Sequence, residues 1–230
     1  MPATVDSILA HLAAVANERS ARAASPDLSG SVQAIKSYQQ KRFSHTYADL
    51  LTNPRYGSAA RFFLEELYGP GDFTQRDAQF ERVVPALVRL FPRDVVDTVE
   101  TLAGLHALSE SLDSAMGRQL AHATADAYSY THAWRATGRE ADRQAQIALT
   151  LSVGESLDRL TRKPLLRHSL RMMRGPARAA GLGALQQFLE SGFDTFAAMR
   201  GANEFLATVS AREHRLMTSL FDGDPLGQLP

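Results

Sequence analysis

Residues 61–91 read RFFLEELYGPGDFTQRDAQFERVVPALVRLF, and the fold class turns on this stretch. Phe80, Val83, Val84, Leu87 and Phe91 recur at the spacing that lines one face of a helix. Ahead of them, Gly69 can take the left-handed conformation that ends a helix, and Pro70 cannot continue one. Asp72 stands where an N-cap is needed, with Gln75 three residues on to reach back as in a capping box. Phe62, Phe63, Leu67, Phe80, Val83 and Leu87 are then the expected core of a helical hairpin. Arg61, Tyr68, Arg76, Asp77 and Arg82 are left without a local role. They form either a candidate ligand-binding set or an ion-pair network fixing the hairpin, since burying them unpaired would be costly.

The same periodicity continues on both sides. Val95, Val99, Leu102, Leu105, Leu112 and Met116 share a helix face, as do Leu182, Leu185, Leu189, Phe196 and Met199. Leucine occurs 29 times against 14 for valine and isoleucine together, a balance that favours helix over strand. Proline and glycine punctuation predicts helices near 4–24, 30–52, 55–68, 73–91, 93–116, 118–136, 139–161, 164–174, 177–200 and 202–221. Pro85 falls inside one of them and predicts a kink or a fresh turn there. The expected architecture is all-α: a multi-helix bundle of about nine or ten helices, one domain over residues 1–221, with a flexible tail over 222–230.

Composition narrows the class further. Hydrophobic residues make up 44% and charged residues 22% of the 230, and no apolar run approaches the roughly 18 residues of a membrane span. The first residues lack a basic segment followed by an apolar one, so no secretory signal is expected and the cytoplasm is the expected compartment. The absence of cysteine removes disulfides, thiolate metal sites and cysteine nucleophiles together. With 25 basic and 25 acidic residues there is no global field for nucleic acid, which is not an expected partner.

Two local charge patterns stand out. From Arg159 to Arg178 there are seven Arg or Lys residues and no acid, and Arg167, Arg171, Arg174 and Arg178 are candidate anion- or partner-binding residues. Residues 94–113 carry five acids and no Lys or Arg, so the two segments could neutralise each other inside the fold. His106, Glu110 and Asp113 share one helix face, and His122 with Asp126 repeats the i, i+4 spacing, with His132 nearby. His106, Glu110, His122, Asp126 and His132 are therefore the candidate ligands of a metal or haem site between helices, although a face of this kind is ordinarily solvated. No nucleophile elbow, phosphate-binding glycine loop or dense metal motif occurs, and the sequence requires no cofactor.

The string Phe62-Phe63-Leu64-Glu65-Glu66-Leu67-Tyr68-Gly69-Pro70, followed by Asp72-Phe73 and Arg76-Asp77, resembles the motif of an uncharacterised bacterial family. The resemblance extends over most of the chain, including the region around Phe196 to Leu206. It implies an all-helical domain of unknown function and carries over no catalytic residue. The expected role is a non-enzymatic module that binds a small ligand or a protein partner, as a homodimer. The alternatives are a metal- or haem-dependent helical enzyme and a polyanion or membrane-surface binder acting through residues 159–178.

Overall fold

Local capping chemistry fixes where the helices begin. The Thr4 hydroxyl accepts from the Ser7 amide while the Ser7 hydroxyl accepts from the Thr4 amide, which starts α1 (Val5–Ala23). The Ser25 hydroxyl caps α2 (Pro26–Thr46), whose first residue is a proline that needs no partner for an absent N–H. Asp126 and Ser129 repeat the reciprocal cap at α7 (Ala127–Thr137). These contacts come from a computed structural model that describes residues 3–67, 71, 73–120 and 124–230, without the side chain of Leu67.

Between these lie α3 (Ala48–Thr52), α4 (Gly57–Phe62), a π-helical turn Phe63–Leu67, α5 (Thr74–Leu90) and α6 (Arg93–Gln119). After them come α8 (Glu140–Thr161), α9 (Pro164–Met172), α10 (Arg174–Ala179), α11 (Gly183–Ala198) and α12 (Asn203–Asp222). The fold is all-α, and no β-strand occurs among the described residues.

α6 is the axis of the bundle. It packs along α1, α2, α7 and α8, while α12 lies on α7 and α8, and α11 bridges α4, α5 and α8. Phe43, Tyr47, Phe62, Phe63, Phe196 and Phe205 build one apolar cluster. Tyr38, Tyr130, Trp134 and Leu220 anchor a second, and Ile8, Leu12, Val84 and Val96 a third, against which Phe80 and Leu87 pack.

Several expected boundaries move, each for a physical reason. Gly117, read as a break, lies inside α6 because the backbone there must pass close to α2; a Cβ on it would sit 2.5 Å from Val32 Cγ2. The helix expected over 118–136 begins only at Ala127, where the Asp126 cap takes precedence over the apolar pattern before it. The helix expected over 177–200 is divided into α10 and α11 at Gly181, which adopts φ 72°. α5 runs on through Pro85, whose missing N–H falls on an exposed side of the helix. The segment after α12, expected to be a flexible tail, forms a 3₁₀ turn over Leu226–Gln228 and seats Leu229 in the second cluster. The Tyr38 hydroxyl donates to the Pro230 carbonyl, tying its end to α2. The hairpin residues Tyr68, Gly69, Pro70 and Asp72 lie outside the described residues.

Candidate ligand-binding cavity

The inward face of α1 starts as an apolar stripe, Leu12 and Val15, and continues at the same helical spacing as Arg19 and Arg22. α2 does the same with Val32 and Ile35 followed by Lys36 and Gln39. Both charged continuations turn towards the His106, Glu110, Asp113 face of α6. Arg22 Nη2 donates to Glu110 Oε2, Lys36 Nζ donates to Glu110 Oε1 at 2.8 Å, and Arg22 Nη1 reaches Ser114 Oγ at 3.3 Å. Gln39 Nε2 donates to Asp113 Oδ1 at 3.0 Å. From α5, Asp77 Oδ2 accepts from Arg19 at 2.8 Å and lies 2.9 Å from His106 Nε2. Two bare acceptors would repel at that distance, so His106 carries its proton on Nε2 and donates it to Asp77.

This polar cluster floors a cavity of about 130 Å³. Lys36, Gln39, His106, Glu110, Asp113 and Gln146 contribute the polar part of its lining, and Leu12, Phe80, Leu102, Leu105, Leu185 and Phe188 the apolar part. Arg76 closes one edge. Its guanidinium lies 4.1 Å from the Phe73 ring centre and 4.3 Å from that of Phe188, and it donates to the Glu66 carbonyl at 3.0 Å. Gln79, one turn along α5, accepts from the Leu185 amide at 2.9 Å and so holds the start of α11 against the wall.

Electrostatics separates the three acids. Burial acts to raise the Glu110 pKa, but Lys36 and Arg22 outweigh it and hold the carboxyl at about 2. Burial works the same way on Asp77, and the His106 hydrogen bond with Arg19 and Arg76 holds it below the usual carboxylate range. At Asp113 burial wins, and the pKa is raised despite Lys36. Because the folded pKa of Glu110 lies below its ordinary value of 4.5, its contribution is present above pH 4.5 and is lost as pH falls towards about 2. At 1.36 kcal/mol per unit that contribution is about 3 kcal/mol. Urea unfolding followed from neutral pH to pH 2 should show this loss, and Glu110→Gln should flatten the profile; a variant as acid-sensitive as the parent would contradict it.

The sequence-derived sets are divided by the structure. Arg76 and Asp77 line the cavity. Arg61 is exposed and donates to the Leu51 carbonyl at 3.0 Å, and Arg82 is exposed and reaches the Ala180 carbonyl at 3.3 Å. Tyr68 lies outside the described residues. His106 meets the Asp77 carboxylate, and Glu110 meets the cations Arg22 and Lys36. Asp126 caps α7, His132 is exposed, and His122 lies outside the described residues. Among the described residues no group of three or more His, Asp or Glu side chains is placed to hold a metal ion. Arg19, Arg22, Lys36, Gln39 and Asp113 escaped selection as site residues. Their signal was the charged end of an apolar stripe.

The basic stripe is partly paired with acids, though mostly not those of the expected helix. Lys163 pairs with Asp94 of α6 at 2.5 Å, but Arg167 and Arg171 face Asp194 and Arg174 pairs with Glu190, both acids of α11. Arg178 is exposed.

Fold and cavity together define a class: an all-α domain enclosing a small chamber with an ionic floor and apolar walls. No helix of the described residues is long and apolar enough to cross a membrane. The chain belongs to the family described as Domain of unknown function (DUF8198), whose model matches residues 18–227. That span includes every residue named above as lining the cavity except Leu12. No curated protein and no solved structure matches the chain.

Proposed function

We propose that this domain binds a small amphiphilic molecule in the cavity beneath Arg76. The observation that carries this reading is one chamber of about 130 Å³ lined both by apolar side chains and by the charged cluster. An engineered apolar cavity of about 150 Å³ is known to take benzene, so the space suits an aromatic ring or a short branched chain. A molecule with one polar end can satisfy the floor while its body covers the wall.

Toluene tests the wall by itself. It should raise the melting temperature saturably, with about 2.7 kcal/mol of added stability at a hundred times its dissociation constant. Leu102→Phe, which places extra carbons where the ring would sit, should weaken toluene binding at least tenfold while the fold is retained. No shift with toluene, or an equal shift in the variant, would remove the proposal.

Self-association remains part of the proposal. Its support is α9, which buries none of its residues and leaves Leu165 79% and Met172 67% exposed. Leu165→Glu combined with Met172→Glu should convert a dimer to a monomer in sedimentation velocity. A parent protein that is already monomeric at micromolar concentration would exclude the dimer. The polyanion reading loses support from the pairing of Arg167, Arg171 and Arg174 with α11. An enzymatic reading has one observation in its favour, the Asp77–His106 pair with His106 on the cavity lining.

A further inference from the structure

We propose that the molecule held in the cavity carries a protonated amine, whose ammonium group donates to the Asp113 oxygen that has no donor of its own among the described residues. The inference rests on the cavity being a ligand site and goes on to name the ligand class.

The other two acids of the floor have cations of their own. Glu110 is held by Arg22 and Lys36, and Asp77 by Arg19 with His106 beside it. Asp113 has a neutral partner, Gln39, on Oδ1. Lys36 Nζ stands 3.8 Å from Oδ2, beyond hydrogen-bonding reach, and is committed to Glu110 at 2.8 Å. Asp113 Oδ2 thus has no hydrogen bond among the described residues, although the side chain is only 9% exposed and lines the cavity.

Desolvation raises the Asp113 pKa, and the charges of Lys36 and Arg143 only partly offset it.

Lys36 and Arg143 act on Asp113 through their charge, but no described neighbour donates a hydrogen bond to Oδ2. Gln146 Nε2 donates to Ser109 Oγ at 2.8 Å, its Oε1 accepts from Arg143, and Thr150 donates to the Gln146 carbonyl. Arg143 itself stacks on the Trp134 ring at 3.9 Å. Arg76 is occupied between Phe73 and Phe188. A ligand carboxylate would bring a further acceptor beside Asp113 Oδ2, whereas an ammonium brings it a donor. Donated to Oδ2 inside the cavity, its hydrogen bond is charge-assisted on both sides.

The groups facing Asp113 are Lys36 and Gln39 of α2, Glu110 of its own helix, and Arg143, Gln146 and Thr150 of α8. Glu110, at about 2, remains ionised well below neutrality. Asp113, whose pKa is raised, is therefore the floor acid that protonates first as pH falls, and affinity for the amine weakens as it does.

Benzylamine, benzyl alcohol and benzoate share one body and differ in the charge of the head, and calorimetry on the full chain compares them. Near neutral pH, benzylamine should bind roughly tenfold more tightly than benzyl alcohol, and benzoate most weakly. Asp113→Asn keeps the shape and the acceptor for Gln39, so it should retain the alcohol and lose the amine preference to within about twofold. In the unsubstituted protein, benzylamine affinity should fall as pH is lowered from neutral, and Asp113→Asn should remove that dependence. Benzoate binding best, a preference that survives Asp113→Asn, or alcohol binding without an amine preference would overturn this inference and leave the cavity reading standing. Failure of all three compounds and of toluene to bind would overturn both.

Discussion

Glu110→Ala should destabilise the protein by about 3–5 kcal/mol, because it strands two buried cations. Arg22 and Lys36 are 9% and 15% exposed at the side chain, and Glu110 is their shared acceptor from α6. Removing the carboxylate leaves both guanidinium and ammonium desolvated with no return. The cost is therefore set by the survivors rather than by the energy of the pair. A double variant, Glu110→Ala with Arg22→Ala, should recover part of the loss, since it removes one of the stranded charges as well. Urea unfolding measures both. A Glu110→Ala variant within about 1 kcal/mol of the parent would show that the cluster is solvated in solution, and the ionic floor would fall with it.

Phe63→Ala should cost about 3–5 kcal/mol by leaving a cavity at the junction of three helices. Its ring is 3% exposed and lies 6.4 Å from Phe62, 6.1 Å from Phe196 of α11 and 5.8 Å from Phe205 of α12. The residue opens the π-helical turn that follows α4, so one side chain joins α11 and α12 to the segment leading into α5. No smaller neighbour can move into the space, because Phe196 and Phe205 are themselves almost wholly buried. Phe63→Leu should cost less than half as much. Equal costs for Ala and Leu would mean that ring packing is not what holds this junction.

The two variants probe features of different legibility. Phe63 was readable as core from the 61–91 stretch because helical periodicity and aromatic clustering are local. The same holds for α1, α5, α8 and α12, whose limits follow the Thr4 cap or nearby glycine and proline positions closely. Gly117 was misread because its glycine answers a contact with Val32, 85 residues away in the chain, and no local pattern marks such a contact. The charged face of α6 was visible as His106, Glu110 and Asp113, but its direction was not. Carboxylates on a helix are solvated unless cations elsewhere come to meet them, and here those cations sit on α1 and α2, 88 and 74 residues away. In hindsight the clue was on those helices: Arg19 and Arg22 prolong the stripe of Leu12 and Val15, and Lys36 and Gln39 that of Val32 and Ile35. The cavity was legible in neither place, since it exists only where α5, α6 and α11 converge over that floor.

The central claim is that this space receives a ligand, and backbone amide chemical shifts followed through a toluene titration test it most directly. Saturable shifts should concentrate on residues 76–87, 99–113 and 185–189, which carry most of the cavity lining, and should be absent from α9. A titration that never saturates, or one whose shifts centre on α9 with the cavity residues unmoved, would contradict the account.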